Sequence, residues 1–210
     1  AEEPNPAGTL DVTATISDQL PRRYSFGAEY STLDGVSVSA LWLHRNIFGG
    51  AERLQIDGEI SGAGGQTGGE DYRLTALLAR PATFRTDLEA FALAEIEQVD
   101  DPNLFSRTGR LEVGGTYFAS EKRQYTYGAG FRRSLTRDDL GERNYTIFTI
   151  PLSATFDHRD EPLNAKSGYY AKVELTPFFN ITGTENGVVT TVDLRSYRQV
   201  GNKVTLAVRG

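Results

Sequence analysis

Hydrophobic and polar residues alternate along most of the chain, with the period of two that a β-strand shows when only one of its faces is apolar. Between residues 53 and 60, for example, the even positions are Leu, Ile, Gly and Ile, and the odd positions are Arg, Gln, Asp and Glu. Strand-like segments of this kind fall at 23–31, 35–46, 52–61, 70–80, 86–98, 107–119, 124–134, 143–157, 168–180, 188–199 and 203–210. Gly, Asn, Asp and Pro separate them, so the pattern predicts an all-β, antiparallel chain.

One turn stands out because its ionisable residues are closely spaced. Residues 155–170 read TFDHRDEPLNAKSGYY, a strand, a polar turn and a second strand. The turn residues are predicted to be Asp157, Arg159, Asp160, Pro162 and Gly168. Two roles fit them: a structural turn whose carboxylates hold Arg159 and cap backbone amides, or a clamp to a neighbouring domain. A catalytic or metal site is not expected, because a single histidine, His158, stands in a solvated turn.

The alternating pattern is compatible with a soluble β-sandwich or with a membrane β-barrel. Three features favour the barrel. The segments are about 9–14 residues long, which suits a tilted membrane crossing. The links are predicted to alternate between compact (49–50, 81–85, 120–123) and long (62–70, 100–107, 136–143, 181–187). Aromatic residues collect near segment ends, as in an interfacial girdle.

Composition excludes several function classes. The net charge of −6 and the sequence pI near 5.1 argue against a nucleic-acid partner. Cysteine is absent and there are two histidines, so thiolate or histidine-rich metal sites are not expected. No apolar run approaches the roughly 18 residues of a membrane-spanning helix. We expect neither a cofactor, nor a metal, nor an enzymatic activity.

The first 21 residues differ from the rest. Apolar residues at 10, 12, 14 and 16 alternate with polar ones, giving one short strand that cannot bury its apolar face alone. We expect residues 1–21 to be the end of a preceding domain and a linker, and residues 22–210 to be the barrel portion. The opening AEEPNPAG has no leader-like character, which indicates either a cleaved signal peptide or a piece of a longer protein.

Two motifs resemble a known family. The segment 24–62, with its RNIFG turn at 45–49, is similar to the first barrel strands of the BamA and TamA group of outer-membrane assembly factors, the bacterial surface antigen superfamily. FDHRDEPLNAKSGYY resembles that family's D-x-R-D-x-P-x-x-x-x-G periplasmic turn. The strand LDVTATIS is similar to the end of a POTRA domain, the periplasmic module that precedes such barrels. The short, plain loops favour a TamA-like member.

The resemblance implies a transmembrane β-barrel of about sixteen strands, of which this chain would supply the first ten to eleven. The chain would then be a fragment of a barrel in the bacterial outer membrane. Its first strand would form a lateral gate, at which a substrate strand adds to an exposed edge. The implied gate residues are Tyr24, Ser25, Phe26, Gly27, Ala28, Glu29 and Tyr30. Gly27 fits a weakened edge, a bulge or a packing contact equally well.

The implied function is insertion or translocation of β-barrel and autotransporter substrates. The implied partners are the outer-membrane lipid bilayer, nascent outer-membrane proteins or autotransporters, and a periplasmic or inner-membrane assembly partner. The alternatives are a two-partner secretion pore, a small outer-membrane porin or adhesin barrel, and a soluble β-sandwich binding module.

Overall fold

A computed structural model describes residues 19–66, 68–183, 185–201 and 204–210, and its regular elements are twelve β-strands. They are β1 (Arg22–Ser31), β2 (Gly35–Arg45), β3 (Arg53–Ala63), β4 (Asp71–Arg80), β5 (Leu88–Asp101), β6 (Leu104–Ser120), β7 (Arg123–Asp138), β8 (Gly141–Thr149), β9 (Leu152–Asp157), β10 (Gly168–Asn180), β11 (Asn186–Val200) and β12 (Val204–Arg209). The strand predicted at 10–16 lies outside the described residues. No described helix is long and apolar enough to cross a membrane.

The strands form one antiparallel sheet in which sequence neighbours are also spatial neighbours. Its order is β1 to β8, then β10, β11 and β12, with β9 continuing the line of β8 between β7 and β10. The prediction of an all-β, up-and-down antiparallel fold is confirmed. Within the described residues no second sheet packs on this one, so the sandwich alternative is wrong. β1 and β12 are the two edges of the sheet.

The predicted strand 143–157 is divided into β8 and β9 at Ile150 and Pro151. The register does not shift across the break, because Thr149 pairs with Gly130 and Leu152 pairs with Tyr127. Pro151 has no N–H to donate, but its carbonyl accepts a hydrogen bond from Gly128 N at 2.9 Å. On the other side, Ile150 N donates to Pro177 O at 3.0 Å. Two prolines on neighbouring strands therefore interrupt the ladder without changing its alignment.

Cross-strand pairing sorts the side chains onto two faces of different chemistry. One row of successive partners is Phe26, Ala40, Gly58, Leu74, Ile96 and Gly109. The row displaced by one residue is Ser25, Leu41, Asp57, Thr75, Glu95, Arg110 and Arg132. We call these the apolar face and the polar face. The polar face carries ion pairs such as Arg53 with Glu89, Arg73 with Glu97 and Lys172 with Glu174.

The sheet has almost no buried apolar core. Among the described residues, Ala79 is the only buried hydrophobic side chain, at 5% exposed. Large side chains on the apolar face are open, and Phe26 is 82% exposed. An apolar surface of this extent does not persist in water, so it requires lipid or another apolar cover.

The links lie at two ends of the sheet. The near end carries the links 46–52, 81–87, 121–122 and 158–167, and the far end carries 32–34, 64–70, 102–103, 139–140 and 181–185. The predicted alternation of compact and long links is wrong. The far-end segments 100–107 and 136–143 contain two-residue turns, and the near end has the longest link.

The error has a physical cause, because charged residues at the far end pair across strands instead of forming loops. Arg137 pairs with Glu142 across the β7–β8 turn, and their Nη2–Oε2 distance is 2.7 Å. Asp138 forms an ion pair with Arg143 at the same turn. These pairs continue the β7–β8 ladder up to its two-residue turn.

Candidate functional site

The first candidate site is the free edge of β1. Arg45 N donates to Pro21 O at 2.7 Å. Pro21 is therefore the first residue on this side of the β1–β2 pair whose backbone bonds to the partner strand. In an antiparallel pair such positions alternate with positions whose N–H and C=O groups point away from the partner. The register pairs Arg22 with His44 and continues without a shift to Ser31 and Gly35.

The outward-pointing positions of β1 are therefore Arg22, Tyr24, Phe26, Ala28 and Tyr30. No strand pairs with their N–H and C=O groups among the described residues. The side chains of these residues also lie on the apolar face. Tyr24 is 60% exposed and Tyr30 is 72% exposed. The edge thus combines free backbone hydrogen-bonding groups with an apolar surface.

The intervening residues Ser25, Gly27 and Glu29, which the resemblance also implies for a gate, lie on the polar face and bond to β2. A Cβ at Gly27 would lie 2.7 Å from the Ser39 side-chain oxygen on β2. The continuous β1–β2 register excludes a bulge at Gly27. The structure therefore gives Gly27 a packing role, because only glycine leaves room for Ser39 in its present rotamer.

The second candidate site is the ten-residue link between β9 and β10. Of the five predicted turn residues, Arg159, Asp160 and Pro162 lie in it, Asp157 ends β9 and Gly168 begins β10. His158 N donates to Tyr169 O at 2.8 Å, and Asp160 N donates to Ser167 O at 3.1 Å, which closes the link at its base. Asp160 Oδ1 accepts hydrogen bonds from the N–H groups of Glu161, Lys166 and Ser167 at 2.9, 2.9 and 3.1 Å.

Glycine is required where this link returns to β10. Gly168 has a φ of +99°, in the left-handed region that side chains disfavour. A Cβ there would overlap the carbonyl oxygen of His158. Pro162 has a different role, because its carbonyl accepts a hydrogen bond from Arg159 Nη1 at 2.9 Å.

Arg159 connects the link to the polar face of the sheet. Its Nε and Nη2 donate to the two carboxylate oxygens of Asp157 at 2.8 and 2.6 Å. Its guanidinium lies 5.0 Å from the ring centroid of Tyr170, and that of Arg195 lies at the same distance from this ring. Arg195 in turn pairs with Asp193. The Arg159 side chain is 12% exposed, so its guanidinium is largely closed to solvent.

Sequence reasoning did not identify Tyr170, Asp193 or Arg195 as parts of this cluster. Tyr170 and Arg195 are cross-strand partners on β10 and β11, and the register that joins them is set far from either residue. Both strands alternate apolar and polar residues in the sequence, and this alternation places the three side chains on one face of the sheet. It does not determine which residue of β10 lies opposite which residue of β11.

The hydrogen bonds to Asp160 predict a pH dependence of the link. The N–H groups of Ser167 and Lys166 hold the pKa of the Asp160 carboxyl below its ordinary value of 3.8. A carboxyl with a lowered pKa stabilises the fold above its ordinary pKa, and this contribution is lost as the pH falls through the folded value. We expect the amide resonances of Lys166 and Ser167 in the full-length protein to stay constant from pH 7 to about 4 and to shift below 3.8. Asp160→Asn is the control and should show no such titration; a wild-type midpoint at or above 3.8 would contradict the assignment.

Each of the two histidines contacts an aromatic ring. His158 stacks on Tyr169 with ring centroids 4.9 Å apart, and His44 lies on the apolar face, with its ring 6.1 Å from that of Trp42. In the described part of the chain, no group of three or more histidine, aspartate or glutamate side chains could hold a metal ion.

The geometry defines the class of protein: one up-and-down antiparallel sheet, apolar on one face and ion-paired on the other, is part of a transmembrane β-barrel. A similar structure is that of BamA from Haemophilus ducreyi lacking POTRA domains 1–3, with a TM-score of 0.65 and 13% sequence identity. The match covers 87% of this chain and 38% of that one. The Omp85 superfamily domain matches residues 46–210. The chain therefore belongs to the Omp85 superfamily, a group of outer-membrane barrels for protein insertion and translocation. No curated protein sequence matches it.

Proposed function

We propose that the chain is the barrel part of an outer-membrane factor that inserts β-barrel substrates, including autotransporters, by adding their strands to the edge of β1. The observation that carries the proposal is the coincidence on β1 of free backbone groups and exposed apolar side chains. Tyr24, Phe26, Ala28 and Tyr30 have both properties. Main-chain hydrogen bonds to such an edge tolerate any substrate sequence.

The two faces of the sheet support a membrane location for this edge. The apolar face would lie against the lipid, and the polar face would line the lumen, where its ion pairs stay hydrated. In lipid, an unpaired strand edge is costly because no water satisfies its N–H and C=O groups. An incoming substrate strand would satisfy those groups and would expose a new edge for the next strand.

The link 158–167 would lie on the periplasmic side, where the resemblance places the matching turn. Most N–H groups of Arg159 bond within the link or to Asp157. This supports a structural role for the turn over a clamp to a neighbouring domain. Membership of the TamA-like subgroup, a POTRA-like domain end at residues 1–21 and a periplasmic or inner-membrane partner stay predictions.

The test is an insertion assay with the full-length protein in lipid vesicles. A urea-unfolded outer-membrane barrel is added, and the fraction that becomes resistant to detergent unfolding at room temperature is followed over time. We expect insertion about tenfold faster than into vesicles that contain an unrelated barrel, equivalent to about 1.4 kcal/mol in the barrier. Equal rates in the two preparations would contradict the proposal.

Translocation through the lumen is the second candidate function, and the ion-paired polar face favours it. The same vesicles separate the two functions. Insertion leaves the substrate in the membrane, whereas translocation places it in the vesicle interior, protected from added protease.

A further inference from the structure

Arg133 is an arginine on the apolar face whose side chain has no partner among the described residues. Arg133 of β7 has Gly109 of β6 and Thr146 of β8 as its cross-strand neighbours. Its side chain is exposed, and it makes no hydrogen bond or ion pair within the described residues. A cation on a lipid-facing surface is costly unless water or an anion reaches it.

Arg133 lies at one boundary of the apolar band, which is the part of the apolar face that would contact the hydrocarbon core of the membrane. On the apolar face of β7, Arg123 and Arg133 enclose four residues, Tyr125, Tyr127, Ala129 and Phe131. Ten residues of antiparallel strand extend about 34 Å, which is about 26 Å along the membrane normal at a tilt of about 40°. The apolar band of an outer-membrane barrel is about 25 Å tall. Arg133 thus lies at the level of the lipid headgroups, on the side of the far end.

A second arginine is held in place beside it. Arg107 of β6 pairs with Leu135 and is therefore the diagonal neighbour of Arg133, about 7–8 Å away. Its Nε and Nη2 donate to Gln98 Oε1 at 3.2 and 2.7 Å, and the hydroxyl of Tyr72 donates to the same oxygen at 2.9 Å. These bonds fix the guanidinium but leave its charge uncompensated, because Gln98 and Tyr72 are neutral.

Neighbouring acidic residues do not neutralise the two arginines. Glu95 and Glu97 of β5 lie on the polar face, where Glu97 pairs with Arg73. Glu142 lies on the apolar face but pairs with Arg137. The pair Arg107 and Arg133 is therefore a local positive site at the boundary of an apolar surface.

A groove leads from this site toward the middle of the apolar band. Small residues at Ala76, Ala94 and Gly109 leave a depression of about 380 Å³ that Arg133 also lines. It adjoins a cavity of about 450 Å³ that both arginines line, and Gly109 is common to the two. A Cβ built on Gly109 would meet no atom within 4 Å, so the space above it is open.

We propose that Arg107 and Arg133 bind a phosphate on the headgroup of an outer-membrane lipid, one of whose acyl chains lies in the groove over Gly109. Guanidinium groups match phosphate geometry with two parallel N–H donors, which distinguishes them from a diffuse positive charge. Charge complementarity selects the phosphate, and the apolar groove that begins at the same residues selects a lipid over a free anion.

The proposal is tested with the full-length protein in detergent by native mass spectrometry. The probes are dioleoyl phosphatidylglycerol and dioleoylglycerol, which share their acyl chains but differ in the phosphate headgroup. We expect the wild type to retain phosphatidylglycerol, and R107Q/R133Q to retain it about tenfold less, as expected for lost charge-assisted hydrogen bonds. Arg123→Gln, at the opposite boundary of the same face, is the matched control and should bind as the wild type does.

The groove is tested independently by Gly109→Val, which keeps both arginines and fills the open space. We expect it to lower retention of phosphatidylglycerol while leaving the migration of the folded protein on unheated gels unchanged. Equal retention by R107Q/R133Q and by the wild type would overturn the phosphate site. Equal retention of dioleoylglycerol and phosphatidylglycerol by the wild type would overturn it too. Unchanged retention by Gly109→Val, or full displacement of the lipid by inorganic phosphate, would overturn the lipid assignment.

Discussion

Replacing Ala28 by proline is expected to slow substrate insertion while leaving the sheet intact. The N–H of Ala28 points away from β2, so a proline ring there removes a hydrogen-bond donor only from the free edge. Proline is tolerated at such edge positions, and Gly27 before it has no side chain to clash with the ring. A substrate strand would lose one bond and leave its own carbonyl unsatisfied, which costs about 1–3 kcal/mol. We therefore expect insertion in the vesicle assay to slow by about five- to a hundredfold.

Gly27→Pro is the matched control, one residue away. By the same alternation the N–H of Gly27 bonds to β2, so this variant should destabilise the β1–β2 pair and lower the temperature at which the folded form disappears on gels. Ala28→Val, which keeps the N–H, should insert substrate as the wild type does. If Ala28→Pro inserts substrate at the wild-type rate, the β1 edge is not where substrate strands add.

Replacing Arg159 by alanine is expected to lower the free energy of unfolding by about 2 kcal/mol. The variant loses the two bonds to Asp157, the bond to Pro162 and the stacking on Tyr170. Breaking a fully buried ion pair costs about 3–5 kcal/mol. We expect less because the Asp157 side chain is 26% exposed, so water solvates part of the carboxylate that is left.

Urea unfolding of the full-length protein in detergent measures this loss, and two further variants identify its source. Arg159→Lys should have an intermediate effect, because an ammonium group pairs with Asp157 but cannot form a two-bond fork. Combining Arg159→Ala with Asp157→Asn should recover part of the stability, since an unpaired carboxylate is removed. A loss below about 0.5 kcal/mol, the range of ordinary surface substitutions, would show that the cluster does not stabilise the fold.

The fold was predictable because its signal is local. The alternation of Leu54, Ile56 and Ile60 with charged residues defines a two-faced strand in a few positions, and the same pattern recurs along the chain. The far-end turns were not predictable in this way. Asp138, Glu142 and Arg143 have the composition of a loop, and their cross-strand pairs become visible only when the register is known.

In the candidate sites, too, contacts between near neighbours in the sequence were predictable and contacts that depend on strand register were not. The link containing Asp160 and Gly168 was located from sequence because turn chemistry acts between near neighbours. The contact of Arg159 with Asp157 also follows from a short segment, whereas its stacking on Tyr170 was not predicted. The contribution of Arg195 did not follow, because it depends on how β11 aligns with β10.

The edge of β1 also constrains how an incoming strand can align. Its outward-bonding residues are every second residue, and their side chains all lie on one face. A strand that hydrogen-bonds to this edge must have the side chains of its own hydrogen-bonded residues on the same face. Its register against β1 can therefore shift by two residues but not by one. A slip of one would turn its apolar side chains toward the lumen. The proposed gate would thus recognise the two-residue alternation of apolar and polar side chains and not a particular sequence. An autotransporter strand and a porin strand would bind to it equally well.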